Sequence, residues 1–274
     1  MTNKNIFPTA NFINVHEVAI CVFDILGATS LFNSSTSENI IHHGNMIYKS
    51  FYESSCFRMN QFQKIAVSYP NNCRSEFLYI LDLISKFSHI EFYGDTLVFI
   101  TALHKIPSKY KLFAYDFVII LAADITRKMF EYGLPIRGCI DCGLIGRTDD
   151  SMMIIGSPYV NSVKQSNSLE FSGTIVSENF MSAIENLKVP SFDNIVLVDI
   201  QFKDGDNIRT TKRPCVDWLA ESIFLQPQCD IEREVELLFS AHNKSLNPSA
   251  MRKVKNTSAI IRQLISRHNR NCVR

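Results

Sequence analysis

Asp24 lies near the end of EVAICVFDI (17–25), where every residue from Val18 to Phe23 is apolar. An ionised acid in such a buried setting is unfavourable unless it is paired, hydrogen-bonded or bound to a metal. Gly27 follows three residues later. Glycine lets the backbone approach a ligand closely, and the helix expected next opens with unpaired N–H groups. Residues 24–29, Asp-Ile-Leu-Gly-Ala-Thr, therefore suit a divalent ion with a phosphate beside it. Taken alone, Asp24 as a helix cap is the simpler role. Asp95 is the second carboxylate, in a Gly94-Asp95 pair between two short apolar runs. Taken alone, that pair is an ordinary turn. If the hairpin it forms pairs beside the first strand, the two carboxylates meet. They then repel unless cations sit between them, and Mg²⁺ or Mn²⁺ fits such oxygen ligands.

The cysteines offer less. Cys139 and Cys142 form a C-x-x-C with no second pair and no nearby His pair. Residues three apart in a strand point to opposite faces, which argues against zinc. Cys21, Cys56, Cys139, Cys142 and Cys215 sit among apolar residues in a chain too long to need staples, so reduced thiols are expected.

The elements that must hold the two acids alternate. The run 17–25 reads as a strand buried on both faces, followed by a helix from about Thr29 to Phe62. Residues 89–101 read as two short strands around Gly94-Asp95, and 109–131 as a helix closed by Gly133-Leu134-Pro135. Next come a strand from Ile136 ending in a turn at Gly143 to Gly146, a helix over 157–171 and a strong strand in 189–202. The order β-α-β-β-α-β with later elements predicts an α+β, ferredoxin-like sheet.

Composition excludes the extremes. The 274 residues carry 28 Lys+Arg against 27 Asp+Glu, with 46% apolar and 11% aromatic residues, so a disordered or collagenous chain is ruled out. No apolar run approaches a membrane span, and the N-terminus has no signal-like core, so a cytoplasmic location is expected. The near-zero net charge conceals a division. Residues 237–274 hold eight bases and no acid, whereas 1–236 hold all 27 acids and 20 bases. Helical stripes there (Ile231, Val235, Leu238, Phe239, then Val254, Ile261, Leu264, Ile265) predict a solvated helical appendage. Nucleic-acid or membrane-surface binding by this tail is disfavoured, because aromatics are not interleaved among the bases. The expected division is a body at 1–214 and a basic helical extension at 215–274.

Four segments taken in order, FDILGATSLF, FYGDTLVFI, LPIRGCIDCGLIG and IIGSPYVNSVKQSNSLEFSGTIVSENF, resemble the motifs of class III nucleotidyl cyclase catalytic domains over about residues 18–180. The variants FDILG, PIRG and CVDWL (215–219) are more similar to the pyrimidine (uridylate or cytidylate) cyclases of Pycsar-type bacterial anti-phage signalling than to adenylate cyclases. The resemblance implies a homodimer with composite active sites at its interface. It implies two divalent ions, Mn²⁺ or Mg²⁺, on Asp24, Asp95 and the Ile25 carbonyl, with the triphosphate on the amides of Leu26, Gly27, Ala28 and Thr29. The substrate it implies is a nucleoside triphosphate, UTP before CTP, converted to the 3′,5′-cyclic monophosphate and diphosphate.

The departures from the pattern sharpen that expectation. Glu91 stands where adenylate cyclases place a base-selecting Lys, and Met153 stands at the second base-selecting position, so adenine is disfavoured. Glu91 can accept from guanine or from the cytosine amino group and does not by itself decide for uracil. Asn161 matches the family's ribose-orienting Asn. Gln165 replaces its transition-state Arg and cannot deliver positive charge, leaving Lys164 or Arg137 as substitutes. An exposed helix lysine and a structural ion pair are the alternative roles of those two. A guanylate or adenylate cyclase, or a catalytically silent nucleotide-binding module, is the competing expectation.

Overall fold

β1 (Asn14–Ile25) is buried on both faces, as its unbroken apolar run requires. The computed structural model describes residues 14–28, 38, 41–42, 44–49, 71–147, 154–187, 189–220 and 222–271. Most of the helix expected over 29–62 lies outside these, as does Cys56.

Ala19, Cys21, Phe23 and Ile25 of β1 share a core with Ile80 and Ile84 of α1 (Asn71–Lys86) and with Tyr115, Phe117 and Val118 of α2 (Lys111–Glu131). The alternate residues Val18, Ile20 and Val22 form a second layer with Val98, Ile100 and Ile145. Tyr159 and Val163 of α3 (Ser157–Ser168) cover that layer. Side chains alternate across a strand, so Asp24 belongs to the α3 face of the sheet.

β2 (Ser88–Tyr93) and β3 (Thr96–Thr101) form the expected hairpin, with Tyr93 opposite Thr96 and Gly94 at φ 64° in the two-residue turn. β4 (Ile136–Arg147) pairs with β1 along its whole length, from Asn14 opposite Arg147 to Ile25 opposite Ile136. The expected turn at Gly143 to Gly146 is therefore corrected. The glycines stay within the strand, and a Cβ at Gly143 would lie 2.9 Å from Pro158, so its bareness admits the start of α3.

β5 (Ile154–Ile155) flanks β4, and β6 (Gly173–Val176) runs parallel to it. α4 (Glu178–Glu185) follows, then β7 (Ile195–Asp204) and β8 (Asn207–Val216). The sheet order is β2-β3-β1-β4-β6-β8-β7, whose first four strands have the ferredoxin-like arrangement in an α+β fold. β8 escaped sequence reading because NIRTTKRPCV is mostly polar and exposed.

The tail is not a solvated appendage. α5 (Ile231–Ser240) and α6 (Pro248–Asn271) bury Val235, Phe239, Val254, Ile260, Ile261 and Leu264 in a core shared with Phe130, Cys139, Trp218 and Leu26. Some of its surface bases also pair with acids of the chain. Arg252 bonds Glu170 at 2.9 Å, and Arg262 pairs with Glu232 at 3.0 Å. No helix among the described residues is long and apolar enough to cross a membrane.

Candidate functional site

Asp24 is carried to the site by the last turn of pleat in β1, and Asp95 by the tip of the β2–β3 hairpin. Antiparallel pairing sets Asp24 opposite Thr96, and the Ile25 N–H donates to the Asp95 carbonyl at 3.3 Å. The two acids, far apart in sequence, thus lie at one end of the sheet, near enough for the Asp95 charge to act on Asp24.

Arg137 faces Asp24 across the β1–β4 ladder. Its Nε donates to Asp24 Oδ2 at 2.7 Å, and its Nη2 lies 2.7 Å from the same oxygen. Nη1 donates to the Asn167 carbonyl at 2.7 Å, and Nη2 also reaches Asn167 Oδ1 at 3.0 Å. The whole guanidinium is engaged, with Asp24 as its counter-ion. Burial raises the Asp24 pKa; Arg137 opposes the rise, Asp95 adds to it, and Lys253 opposes it. The carboxyl is held out of water against a neighbour of like charge, a setting that favours an added cation.

Leu26 begins the turn after β1. Its N–H donates to the Pro135 carbonyl at 2.8 Å, which pins this turn to the loop before β4. Gly27 follows at φ 79°, a left-handed conformation that glycine adopts without steric penalty. Ala28 is buried and starts the next helix. Thr29 lies outside the described residues.

Against this turn lies a residue that sequence reasoning passed over. Lys244, in the link between α5 and α6, is buried, and its Cδ lies 3.4 Å from where a Gly27 Cβ would sit. Its Nζ donates to the Gly133 carbonyl at 2.7 Å. Burial pushes its pKa down to about 8. The basic tail was the available signal, but nothing in the sequence says where the tail folds back.

Glu91 is largely buried on β2. It accepts from the Tyr93 hydroxyl, and His89 Nε2 lies 3.4 Å from its Oε1. Met153 lies outside the described residues. Asn161, Lys164 and Gln165 of α3 line a separate cavity of about 460 Å³ with Glu178, Lys203 and Arg213, among others, but with no residue of the Asp24 corner. Beneath it is Asp141, unremarked in the sequence although it interrupts an apolar strand. It is fully buried and accepts from the Ser177 hydroxyl at 2.5 Å and the Cys142 N–H at 2.8 Å. Cys139 on the same strand is a buried thiol whose pKa burial pushes up, and the C-x-x-C makes no metal cluster among the described residues.

No protein-family model matches the sequence, and no curated protein matches it. Solved structures do resemble it. The catalytic core of a rhodopsin-guanylyl cyclase with converted specificity, solved with ATPαS, aligns at TM-score 0.48 and 11% identity over 74% of this chain and 98% of that one. The guanylate cyclase domain of RhGC from Catenaria anguillulae, solved with GTP, gives TM-score 0.46 and 11% identity over 74% and 98%. A bacterial light-regulated adenylyl cyclase gives 0.47 and 12% over 84% and 58%. With TM-scores under 0.5, these likenesses assign no activity to this chain.

The residues themselves set what the corner can do. Two carboxylates at one end of the sheet form a hard-oxygen donor set suited to Mg²⁺ or Mn²⁺. Both Arg137 contacts fall on Oδ2 of Asp24, which leaves Oδ1 for a metal. The donor set fits the group.

Proposed function

We propose that the chain is a nucleotidyl cyclase that converts a nucleoside triphosphate into its 3′,5′-cyclic monophosphate and diphosphate. The observation that carries this reading is the juxtaposition of Asp24 and Asp95 beside the Gly27 turn. When bound, two divalent ions supply activation of the ribose 3′-hydroxyl and neutralisation of the departing diphosphate. Asp24, Asp95 and the Ile25 carbonyl are the groups that would hold them. The turn at Leu26, Gly27 and Ala28, continuing to Thr29, receives the phosphates, with the Leu26 amide committed to Pro135 and so acting through its neighbours. Arg137 opposes the rise of the Asp24 pKa and orients its carboxyl. Positioning and charge stabilisation supply most of the acceleration.

Asn161, Lys164 and Gln165 line a cavity whose walls include none of the acids of the corner. A head-to-tail homodimer reconciles the two, with one protomer's acids facing its partner's α3. A two-fold arrangement of this kind is the common form of soluble oligomer. Val160 leaves exposed apolar surface on α3 itself. Glu91, a carboxylate held by Tyr93, suits a base that presents an N–H. Uracil N3–H, the cytosine amino group, guanine and the adenine amino group all present one, so the case against adenine rests on the departures from the adenylate cyclase pattern at Glu91 and Met153. UTP before CTP, and a second-messenger role in defence against phage, rest on the motif variants FDILG, PIRG and CVDWL.

Incubation with ATP, GTP, CTP and UTP separately, with Mn²⁺, and product identification by mass spectrometry tests this. Cyclic UMP is expected. Cyclic AMP as the main product overturns the reading of Glu91. Tight binding of a triphosphate without turnover favours the silent module, for which Gln165 in place of a cation is the supporting feature.

A further inference from the structure

We propose that the C-terminal extension is part of the nucleotide site, and that Lys244 supplies a phosphate-binding cation to the Gly27 turn. This rests on the reading of the corner as a triphosphate site and adds to it a residue from outside the motif-bearing body.

Three observations support it. First, Lys244 is 92% buried, at 8% relative exposure, yet makes no ion pair with an acid among the described residues. Its one acceptor among the described residues is the Gly133 carbonyl, which there uses one of the three ammonium protons. Burying an ammonium without a counter-ion is unfavourable, and a phosphate would repair the deficit. Its stem packs against Gly27, with Cδ 3.4 Å from where a Cβ would sit, so it adjoins the turn expected to receive phosphate.

Second, the chain is constrained to bring Lys244 there. His242, two residues earlier, is the one described non-glycine residue at positive φ, with φ 60° and ψ 33°. Its Nε2 lies 2.8 Å from the Tyr132 carbonyl. Ala241 packs so closely on Gly133 that a Cβ there would fall 2.3 Å from its own. The segment 241–244 is thereby fixed to the same loop, 132–135, that holds the Leu26 amide. A left-handed non-glycine residue kept in place by surrounding contacts is a form of strain that recurs at functional sites.

Third, the extension sends a second base in the same direction. Lys253 on α6 lies close enough to Asp24 and Arg137 for its charge to act on both. Arg252 takes the nearer oxygen of Glu170 at 2.9 Å, while Lys253 stands off its other oxygen at 3.9 Å. Two of the eight bases of residues 237–274, Lys244 and Lys253, are thus brought toward the acidic corner. A ligand carrying several negative charges close together, a triphosphate, is the class that matches.

The test compares native protein with Lys244→Gln and Lys244→Met, using calorimetric titration with UTP and with UMP in Mn²⁺ and thermal melting without nucleotide. Gln keeps an N–H for Gly133 while losing the charge; Met removes both. For both variants UTP affinity should fall at least about tenfold, as loss of a charge-assisted hydrogen bond predicts, while UMP affinity changes much less. Melting of Lys244→Gln without nucleotide should be no lower than native, because an unpaired buried charge is gone. A UTP affinity within about twofold of native in folded Lys244→Gln overturns the proposal, as does an equal loss for UMP and UTP. If native protein binds none of the four triphosphates, the cyclase reading itself fails, an outcome separate from failure of Lys244 alone.

Discussion

Asp24 and Asp141 stand on one face of one sheet, on adjacent strands and four residues apart in register, since Asp24 faces Arg137 and Asp141 faces Ile20. Burial raises the pKa of both. Their surroundings differ in every other respect. Asp24 sits at a strand end beside an exposed glycine turn, faces a guanidinium, and has the Asp95 carboxylate as its neighbour. Asp141 is sealed in mid-strand and held by neutral donors, the Ser177 hydroxyl and the Cys142 N–H, while its Oδ2 makes no hydrogen bond among the described residues. Ser177 also accepts from the Phe180 N–H at 3.1 Å, so Asp141 secures the capping residue of α4. An acid in an apolar strand is therefore not by itself a sign of chemistry. Position at the strand end and a second carboxylate separate the two cases.

The largest expected effect belongs to the corner. Asp24→Asn or Asp95→Asn should lower diphosphate release at least about a hundredfold, because several kcal/mol of charge stabilisation depend on the acids. Melting temperature should shift little in Asp95→Asn, whereas Asp24→Asn, which leaves the Arg137 guanidinium without its counter-ion, should melt lower, so its turnover is taken per folded molecule. Retained turnover in either variant would remove the metal assignment. Asp141 should show the reverse pattern. Asp141→Leu orphans the Ser177 hydroxyl and the Cys142 N–H, and should destabilise the fold by about 2–4 kcal/mol in denaturant titrations. Asp141→Asn keeps an acceptor and should lose less than about 1 kcal/mol, with turnover per folded molecule close to native. A turnover loss in Asp141→Asn as large as that in Asp24→Asn would dissolve the contrast.

What the sequence disclosed follows the same division. β1, the hairpin and α2 were legible because apolar runs and the Gly94-Asp95 turn are local signals. Asp24 and Asp95 could be paired because the ferredoxin-like order dictates which strands are neighbours. The Asp24–Arg137 pair was not assigned, although Arg137 stood out, because cross-strand register is not written in either strand alone. Lys244 was hidden more deeply. Its neighbours Ser245 and Leu246 carry no strong pattern, and its partner is a backbone carbonyl 111 residues earlier, which side-chain types cannot reveal. The tail's uniform positive charge suggested solvent exposure, yet its apolar stripes are what the fold uses, burying Ile261 and Leu264 completely. β8 shows the opposite failure, a polar strand between β6 and β7 recruited by the hairpin with β7 rather than by its own propensity.

The smallest expected effect is a pH dependence that only the sealed acid should give cleanly. The folded-state pKa of Asp141 is raised by burial, with Ser177, the Cys142 N–H, Asn179 and Asn161 partly opposing the rise. A raised acid binds its proton more tightly in the folded state than in the unfolded chain. Its contribution to stability is therefore present in full below the unfolded value and is lost as pH rises through the folded value. Asparagine at this position does not titrate. The stability of native protein relative to Asp141→Asn, measured by denaturant unfolding across acidic pH, should fall as pH rises above the ordinary aspartate value and level off once the buried carboxyl has ionised. The slope can be no steeper than about 1.4 kcal/mol per pH unit for one proton. A difference that is flat across that window would mean Asp141 is ionised as readily in the fold as in water, and the two aspartates would then no longer be distinguished by neutral against charged partners.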